Sequence, residues 1–417
     1  MFVVYEVLLY LVFAITLPFF LLAGFLRGKY LTNFSSRMGF YKHPANEHDI
    51  WVHAVSVGEV LAAREVVREI VKLRPSTSFV FTTTTVTGQA QARRLFPEAT
   101  VTYFPFDFSA SVRRFLDHHR PRLFATMETE IWPNVTRLAR QRGMRLVLAN
   151  GRISDRSFPR YRMGRFAVRR VLANYDAILA REETDRERFL AIGANEETIE
   201  TTGNVKFDFE PDHSPLEAAP FIESLIAGRK VVVLGSTMEG EDEAFLPEIE
   251  RFAREHSAFV IIAPRKPERF EQVAGLLSTT SLRYVRRSEM RAPSGGSPDV
   301  LLLDTLGELS RIYRYATVAF VGGSIAPFGG HNPIEPAAAG VPVCFGPSMS
   351  NFREIAQAFL TSGGAEEVGS AAAAIEFAER MVEDEQARTE IGERARRTVI
   401  ANRGASARTA ARIAGLL

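Results

Sequence analysis

Short apolar runs alternate with amphipathic helical stretches along most of the chain, and the alternation occurs twice. Residues 50–55 (IWVHAV), 78–84, 122–127, 145–149 and 176–180 predict strands, with helical patterns such as 59–73 and 134–142 between them. Residues 209–229 break the pattern with three prolines. It then restarts, with predicted strands at 230–235, 258–263, 300–303, 317–321 and 341–345. Parallel neighbours need a crossover connection, and a strand covered on both faces need not alternate polar with apolar. Strand–helix repeats of this kind therefore predict an α/β chain with two doubly wound, Rossmann-like domains facing across a cleft. The expected division is 29–208, a linker at 209–229, and 230–417, with helices rich in Ala, Arg and Glu from 371 onward.

The first 28 residues follow another rule. Residues 7–26 carry no charge, and Arg27 and Lys29 follow at once. Twenty helical residues reach about 30 Å, the thickness of a bilayer's hydrocarbon core. A basic n-region and a small-residue cleavage site are not evident, so 1–28 is read as an uncleaved membrane anchor with the following domain on the cytoplasmic side. Pro18 leaves open a kinked helix or one lying in the interface.

The chain as a whole has ordinary globular composition, 46% hydrophobic and 24% charged. With 51 basic and 49 acidic side chains, net charge is +2 and nucleic acid is not an expected partner. A single cysteine, Cys344, excludes a disulfide scaffold or a cysteine-rich metal site. His118 and His119 are adjacent and cannot share a helical face, so no metal site and no cofactor are expected. GxGxxG and GxxxxGK[ST] are missing after the predicted strands, which argues against NAD and ATP.

In open α/β sheets, ligands bind beyond the carboxyl ends of the strands, and four motifs fall there. His53-Ala-Val-Ser-Val-Gly-Glu59 joins the first strand to a helix. Ser56 and Gly58 let backbone approach a ligand, and Glu59 in the first turn can accept a proton from a substrate hydroxyl, or simply complement the helix dipole. Met127-Glu-Thr-Glu-Ile-Trp-Pro-Asn134 places Glu128 and Glu130 at a strand end, on one face if the strand continues; substrate contact and a structural pairing with arginine are both open. In the second domain, Arg265 of Ala263-Pro264-Arg265 is placed to grip a phosphate or carboxylate. In Val321-Gly-Gly-Ser-Ile-Ala-Pro-Phe-Gly-Gly-His-Asn-Pro-Ile-Glu-Pro336, glycine pairs flank a loop whose free N–H groups are expected to hold a phosphate, with Glu335 on ribose hydroxyls. His331 bonds the phosphate or caps the loop. A cluster of arginines, 152, 156, 160, 162, 165, 169 and 170, is either a solvated face or a surface for an acidic lipid.

Seven ordered motifs, HAVSVGE (53–59), METEIWPN (127–134), TGNVKFD (202–208), GSTMEGED (235–242), PRKPERF (264–270), TLGEL (305–309) and GGSIAPFGGHNPIEP (322–336), together resemble the bacterial transferases of 3-deoxy-D-manno-octulosonic acid (Kdo). The resemblance implies a two-domain GT-B fold on a membrane anchor at the cytoplasmic side of the inner membrane. It implies a CMP-Kdo donor and a lipid A precursor as acceptor. It implies that Glu59 matches the family's proton acceptor, and that Pro264-Arg265, Leu306-Gly307-Glu308 and Asn332-Pro333-Ile334-Glu335 match the CMP-contacting segments. Ser56, Gly58, Glu128, Glu130, Lys206, Ser236, Thr237, Gly330 and His331 are the further substrate-binding candidates. Two positions depart from the pattern: Ser36 replaces an acidic residue, and Met238 stands where relatives often carry histidine. The alternatives are an epimerase of the same two-domain shape, or a membrane-tethered scaffold without catalysis.

Overall fold

The computed structural model of the chain describes residues 1–27, 33–41, 44–210, 214–290 and 297–417, with side chains of 19–27 outside the description. It divides into two compact units, Met1–Asp208 with Arg403–Leu417, and Phe209–Asn402.

The first unit is built on a seven-stranded parallel sheet. Its strands are β1 (Ile50–His53), β2 (Phe79–Thr83), β3 (Thr100–Tyr103), β4 (Leu123–Met127), β5 (Arg145–Gly151), β6 (Ala177–Ala180) and β7 (Ile199–Thr201), in the order β3-β2-β1-β4-β5-β6-β7. Period-2 geometry sends alternate residues of each strand to opposite cores. Ile50 and Val52 enter one cluster with the Val57–Leu73 helix, while Trp51 enters the other, its ring centroid 4.2 Å from those of Phe115 and Phe124. Burial on both faces explains why the interior strands read as unbroken apolar runs.

The second unit repeats the plan with β8 (Val231–Thr237), β9 (Phe259–Pro264), β10 (Tyr284–Arg286), β11 (Val300–Leu302), β12 (Val318–Val321), β13 (Val343–Phe345) and β14 (Ala365–Glu367), in the order β10-β11-β9-β8-β12-β13-β14. Val232 and Leu234 face one core, Val231 and Val233 the other. In both sheets the connections turn to opposite directions at a central point, between β1 and β4 and between β8 and β12, with β10 lying outside β11 at the edge of the second sheet. Such a switch point opens a crevice at the strands' carboxyl ends.

Two expectations on the division need correction. Much of the expected linker 209–229 is core: Leu216, Ala218, Ile222 and Leu225, around the Ala219–Ile226 helix, are buried in the second unit. The last helix, Ala405–Ala414, belongs to the first unit, not the second. It buries Ala405, Ala410 and Ile413 against the core shared with the Val57–Leu73 helix, and Asp208 accepts from the backbone N–H groups of Gly404 and Ser406 at its start.

The amino-terminal helix runs Phe2–Arg27 with Pro18 inside it, and its first turns dock on the first unit. The Tyr5 hydroxyl donates to Asp107 at 2.9 Å, Glu6 accepts from the Ser109 N–H, its hydroxyl and the Asn134 amide, and Tyr10 stacks on Phe108. The other side leaves Val3, Val4, Val7, Leu8, Leu11, Val12 and Ile15 exposed. Among the described residues no helix is long and apolar enough to cross a membrane, and of the expected anchor 1–28 the side chains of 19–27 and the whole of residue 28 lie outside them.

Candidate active site

At the β1/β4 switch point the first unit gathers three carboxylates. Glu59 lies in the first turn of the Val57–Leu73 helix, half-buried, with Oε2 accepting from the Val55 N–H at 2.9 Å and Oε1 from the Ser56 hydroxyl at 3.3 Å. Burial, then the charge of Glu128 and that of Glu130, push its carboxyl up to about 7; its two hydrogen bonds work the other way. Such a group is half ionised at neutral pH, where a general base is most effective.

Glu128 and Glu130 do not share a face, because the strand ends at Met127 and Glu128 takes a left-handed conformation, φ 57°. Their side chains therefore part. Glu128 reaches Lys206 at 3.1 Å and Arg152 at 3.7 Å. Burial acts to raise its carboxyl, but Lys206, Arg152 and Arg181 together hold it below the usual carboxylate range. Glu130 accepts from the Trp132 indole at 2.9 Å, and burial with the Glu128 charge pushes it up to about 7. Its Oε2 lies 4.0 Å from Nε2 of His53, a ring that burial keeps neutral and whose Nε2 has no hydrogen-bond partner. Ser56, Glu59, Glu128, Glu130 and Lys206 are thus brought together, whereas Gly58 is exposed on the turn. Asn134, at the end of the same motif, is a structural residue: its N–H and that of Val135 are capped by Asp107.

At the β8/β12 switch point Ser236 also takes a left-handed conformation, φ 59°. A Cβ at Gly322 would come within 2.5 Å of the Ser236 carbonyl oxygen, so that approach needs glycine. Arg265 is exposed at the end of β9, and its charge acts on both His331 and Glu335. Burial raises the Glu335 carboxyl against the Asn332 amide, which donates to it at 3.3 Å.

Several expectations here are corrected. The N–H groups of Gly323, Ser324, Ile325 and Ala326 are not free for a phosphate; all four donate to the Glu241 carboxylate. The Thr237 hydroxyl is buried and donates to Asp242, which pairs with Arg269 at 2.7 Å. The helix after Asn332 is short, Ile334–Ala338, with Pro333 before it and the Ile334 N–H held by the Asn332 side chain. His331 caps the loop: Nδ1 donates to the Gly322 carbonyl at 2.8 Å, and burial lowers the ring's basicity. Gly330, φ 72°, donates to the Gly323 carbonyl. After β11, Leu306 and the left-handed Gly307 are exposed, while Glu308 is tied to Arg287 at 2.8 Å and to the Thr305 hydroxyl.

Of the arginine cluster, Arg152 pairs with Glu128 and Asp155 pairs with Arg188. Arg160, Arg162, Arg165, Arg169 and Arg170 are exposed on two short helices, Phe158–Met163 and Arg165–Leu172, beside exposed Met163 and Phe166. Arg165, Phe166, Arg169, Arg170 and Ala173 line a cavity of 570 Å³. Of the two departures, Ser36 donates to the Asn33 carbonyl, and Met238 is buried against the Gly323 turn.

Two parallel-sheet Rossmann-like units, with carboxylates at one switch point and a glycine-rich loop at the other, have a GT-B-like fold. A glycosyltransferase from Rickettsia africae has this fold, with TM-score 0.57 and 13% identity over 89% of this chain and 97% of its own. A model of the family described as 3-deoxy-D-manno-octulosonic-acid transferase (kdotransferase) matches residues 32–209. The chain is 37% identical to the 3-deoxy-D-manno-octulosonic acid transferase of Bordetella pertussis, covering 86% of this chain and 85% of that one. It is 34% identical to the Haemophilus influenzae transferase of the same name over 90% of both. The chain belongs to the 3-deoxy-D-manno-octulosonic acid transferase family.

Proposed function

We propose that the protein is a membrane-associated inverting glycosyltransferase. It moves Kdo from CMP-Kdo to a hydroxyl of the lipid A precursor lipid IVA, in lipopolysaccharide biosynthesis on the cytoplasmic side of the inner membrane. The observation that carries the reading is Glu59, a half-buried carboxylate with its carboxyl near 7 at the β1/β4 switch point.

In this mechanism the ionised Glu59 takes the proton from the acceptor hydroxyl as its oxygen bonds to the anomeric carbon of Kdo. The bond from that carbon to the phosphate oxygen of CMP breaks, and CMP leaves with the electron pair. Attack opposite the leaving group inverts the centre, through a transition state resembling an oxocarbenium ion. The ion pairs of Glu128 with Lys206 and Arg152 keep that carboxylate charged, and its field keeps Glu59 basic enough to act. The donor is assigned to the second unit. Arg265 neutralises the phosphate, and Asn332 and Glu335 meet the ribose, with Ser236 and the exposed Leu306–Gly307 turn as further contacts.

Membrane association is assigned to the Phe2–Arg27 helix, whose exposed apolar side suits lipid, and to Arg160–Arg170 with Met163 and Phe166, which suit an anionic headgroup. The test is direct. Full-length protein with CMP-Kdo and lipid IVA should yield Kdo-lipid IVA by mass spectrometry with one CMP released per sugar. UDP-N-acetylglucosamine should stay unepimerised. No product from CMP-Kdo, or epimer formed instead, would overturn the reading.

A further inference from the structure

We infer that Glu241 is a positioning residue for the donor site, acting as an internal anion that holds the glycine-rich loop in its nucleotide-binding shape. The inference rests on the assignment of the donor to the second unit.

Glu241 opens the Glu241–Glu255 helix and is 1% exposed. Its Oε2 accepts from the N–H groups of Met238 at 3.0 Å and Gly323 at 2.7 Å. Its Oε1 accepts from Ser324 at 3.0 Å, Ile325 at 3.0 Å and Ala326 at 3.3 Å. A carboxylate in a helix's first turn ordinarily serves N–H groups at its own helix start. Only the Met238 bond is of that kind. The other four come from a turn more than eighty residues further along, directly after β12.

Successive backbone N–H groups converging on one point form a cradle of the type that binds anions in many proteins. Here a side chain of the same unit fills it. A buried carboxylate is costly unless its oxygens are satisfied, and the buried N–H groups of Gly323 and Ser324 and the part-buried ones of Ile325 and Ala326 are costly without an acceptor. Each group therefore fixes the other, and the cradle has one stable arrangement.

That arrangement sets the rest of the loop. Gly322 donates its N–H to the Gly235 carbonyl and its own carbonyl accepts from His331, while Gly330 closes back on Gly323 at 2.7 Å. Gly323 itself is left-handed, φ 70°, and a Cβ there would strike the His331 ring at 2.7 Å. His331 leads directly into Asn332 and Glu335. Glu241 thus acts on the donor through the loop, without touching it.

The test uses full-length protein carrying Glu241→Ala, and Glu241→Gln in case the alanine form fails to fold. A displaced positioning loop costs roughly 10- to 100-fold. The KM for CMP-Kdo and the Kd for CMP should rise by that factor in either variant, with the KM for lipid IVA unchanged. Added acetate, the excised group, should restore part of the CMP affinity of the alanine form and leave the glutamine form unaffected. Unchanged CMP affinity with only a lower Tm would overturn the inference and make Glu241 a helix-start residue. So would an equal rise in both KM values, or no recovery with acetate. Wild-type protein that does not bind CMP would instead overturn the donor assignment beneath it, and the inference with it.

Discussion

Replacing Glu128 by glutamine tests the electrostatics of the first unit most severely. The carboxylate is 16% exposed and its partner Lys206 18%, with 3.1 Å between Oε1 and Nζ and Arg152 3.7 Å from Oε2. Removing one member of a buried pair leaves the other uncompensated and costs about 3–5 kcal/mol. Both groups keep some solvent, so about 3 kcal/mol is expected. For a domain of this size that lowers Tm by roughly 6–12 °C. Adding Lys206→Met should return part of the loss, which a double-mutant cycle on the same proteins would measure. The kinetic consequence has a definite sign. Burial is the larger cause of Glu59's raised carboxyl and the Glu128 charge the next. Without that charge Glu59 ionises at lower pH. A base works deprotonated, so the rising limb of kcat/KM, expected at about 7 in the wild type, should move to lower pH. The assay is transfer to lipid IVA from pH 5 to 9 on folded Glu128→Gln. A limb that stays put or moves up would refute the coupling of the two carboxylates.

Charge reversal at Arg162 and Arg165 should raise the KM for lipid IVA and spare that for CMP-Kdo, with the effect shrinking as salt is added; unchanged acceptor kinetics would leave a merely solvated face. A version starting near residue 30 should move from the membrane pellet to the soluble fraction, and retention after an alkaline wash would contradict the anchoring role. That truncation also removes Tyr5 and Glu6, which brace Asp107 and Asn134, so its Tm should fall by a few degrees, as differential scanning fluorimetry would register.

The interior of each sheet was legible in the sequence because its strands are apolar on both faces. The strands that were not legible are the four at the sheet edges, β3, β7, β10 and β14. Their sequences TVTY, IET, YVR and AEE are three or four residues long, and each includes polar or charged residues in place of an unbroken apolar run. The Ala405–Ala414 helix is readably amphipathic, yet nothing in its pattern says which unit its apolar face covers. In the candidate site, strand ends and helix starts made the positions of Glu59, Arg265 and Glu335 in the fold legible. The divergence of Glu128 from Glu130 was hidden, since it depends on one left-handed residue that is not glycine. Glu241 was hidden for a different reason: its partners lie more than eighty residues away, and the only local sign is Gly240 followed by three acidic residues.

The most direct test of the account is Glu59→Gln, with turnover, CMP affinity and Tm measured on one preparation at pH 8. Glutamine can still accept from the Val55 N–H, so the turn should survive. A carboxyl raised from an ordinary value to about 7 makes the folded state lose stability as pH climbs through that window, and the penalty is complete above it. Removing it should therefore leave Tm at pH 8 unchanged or higher. The gain is at most about 3 kcal/mol before the weakened hydrogen bonds are counted. Turnover should fall roughly 100- to 10,000-fold, the usual contribution of a general base, with the Kd for CMP unchanged. A variant with near-normal turnover and a lower Tm would mean that Glu59 only stabilises its helix, and the mechanism proposed here would be wrong.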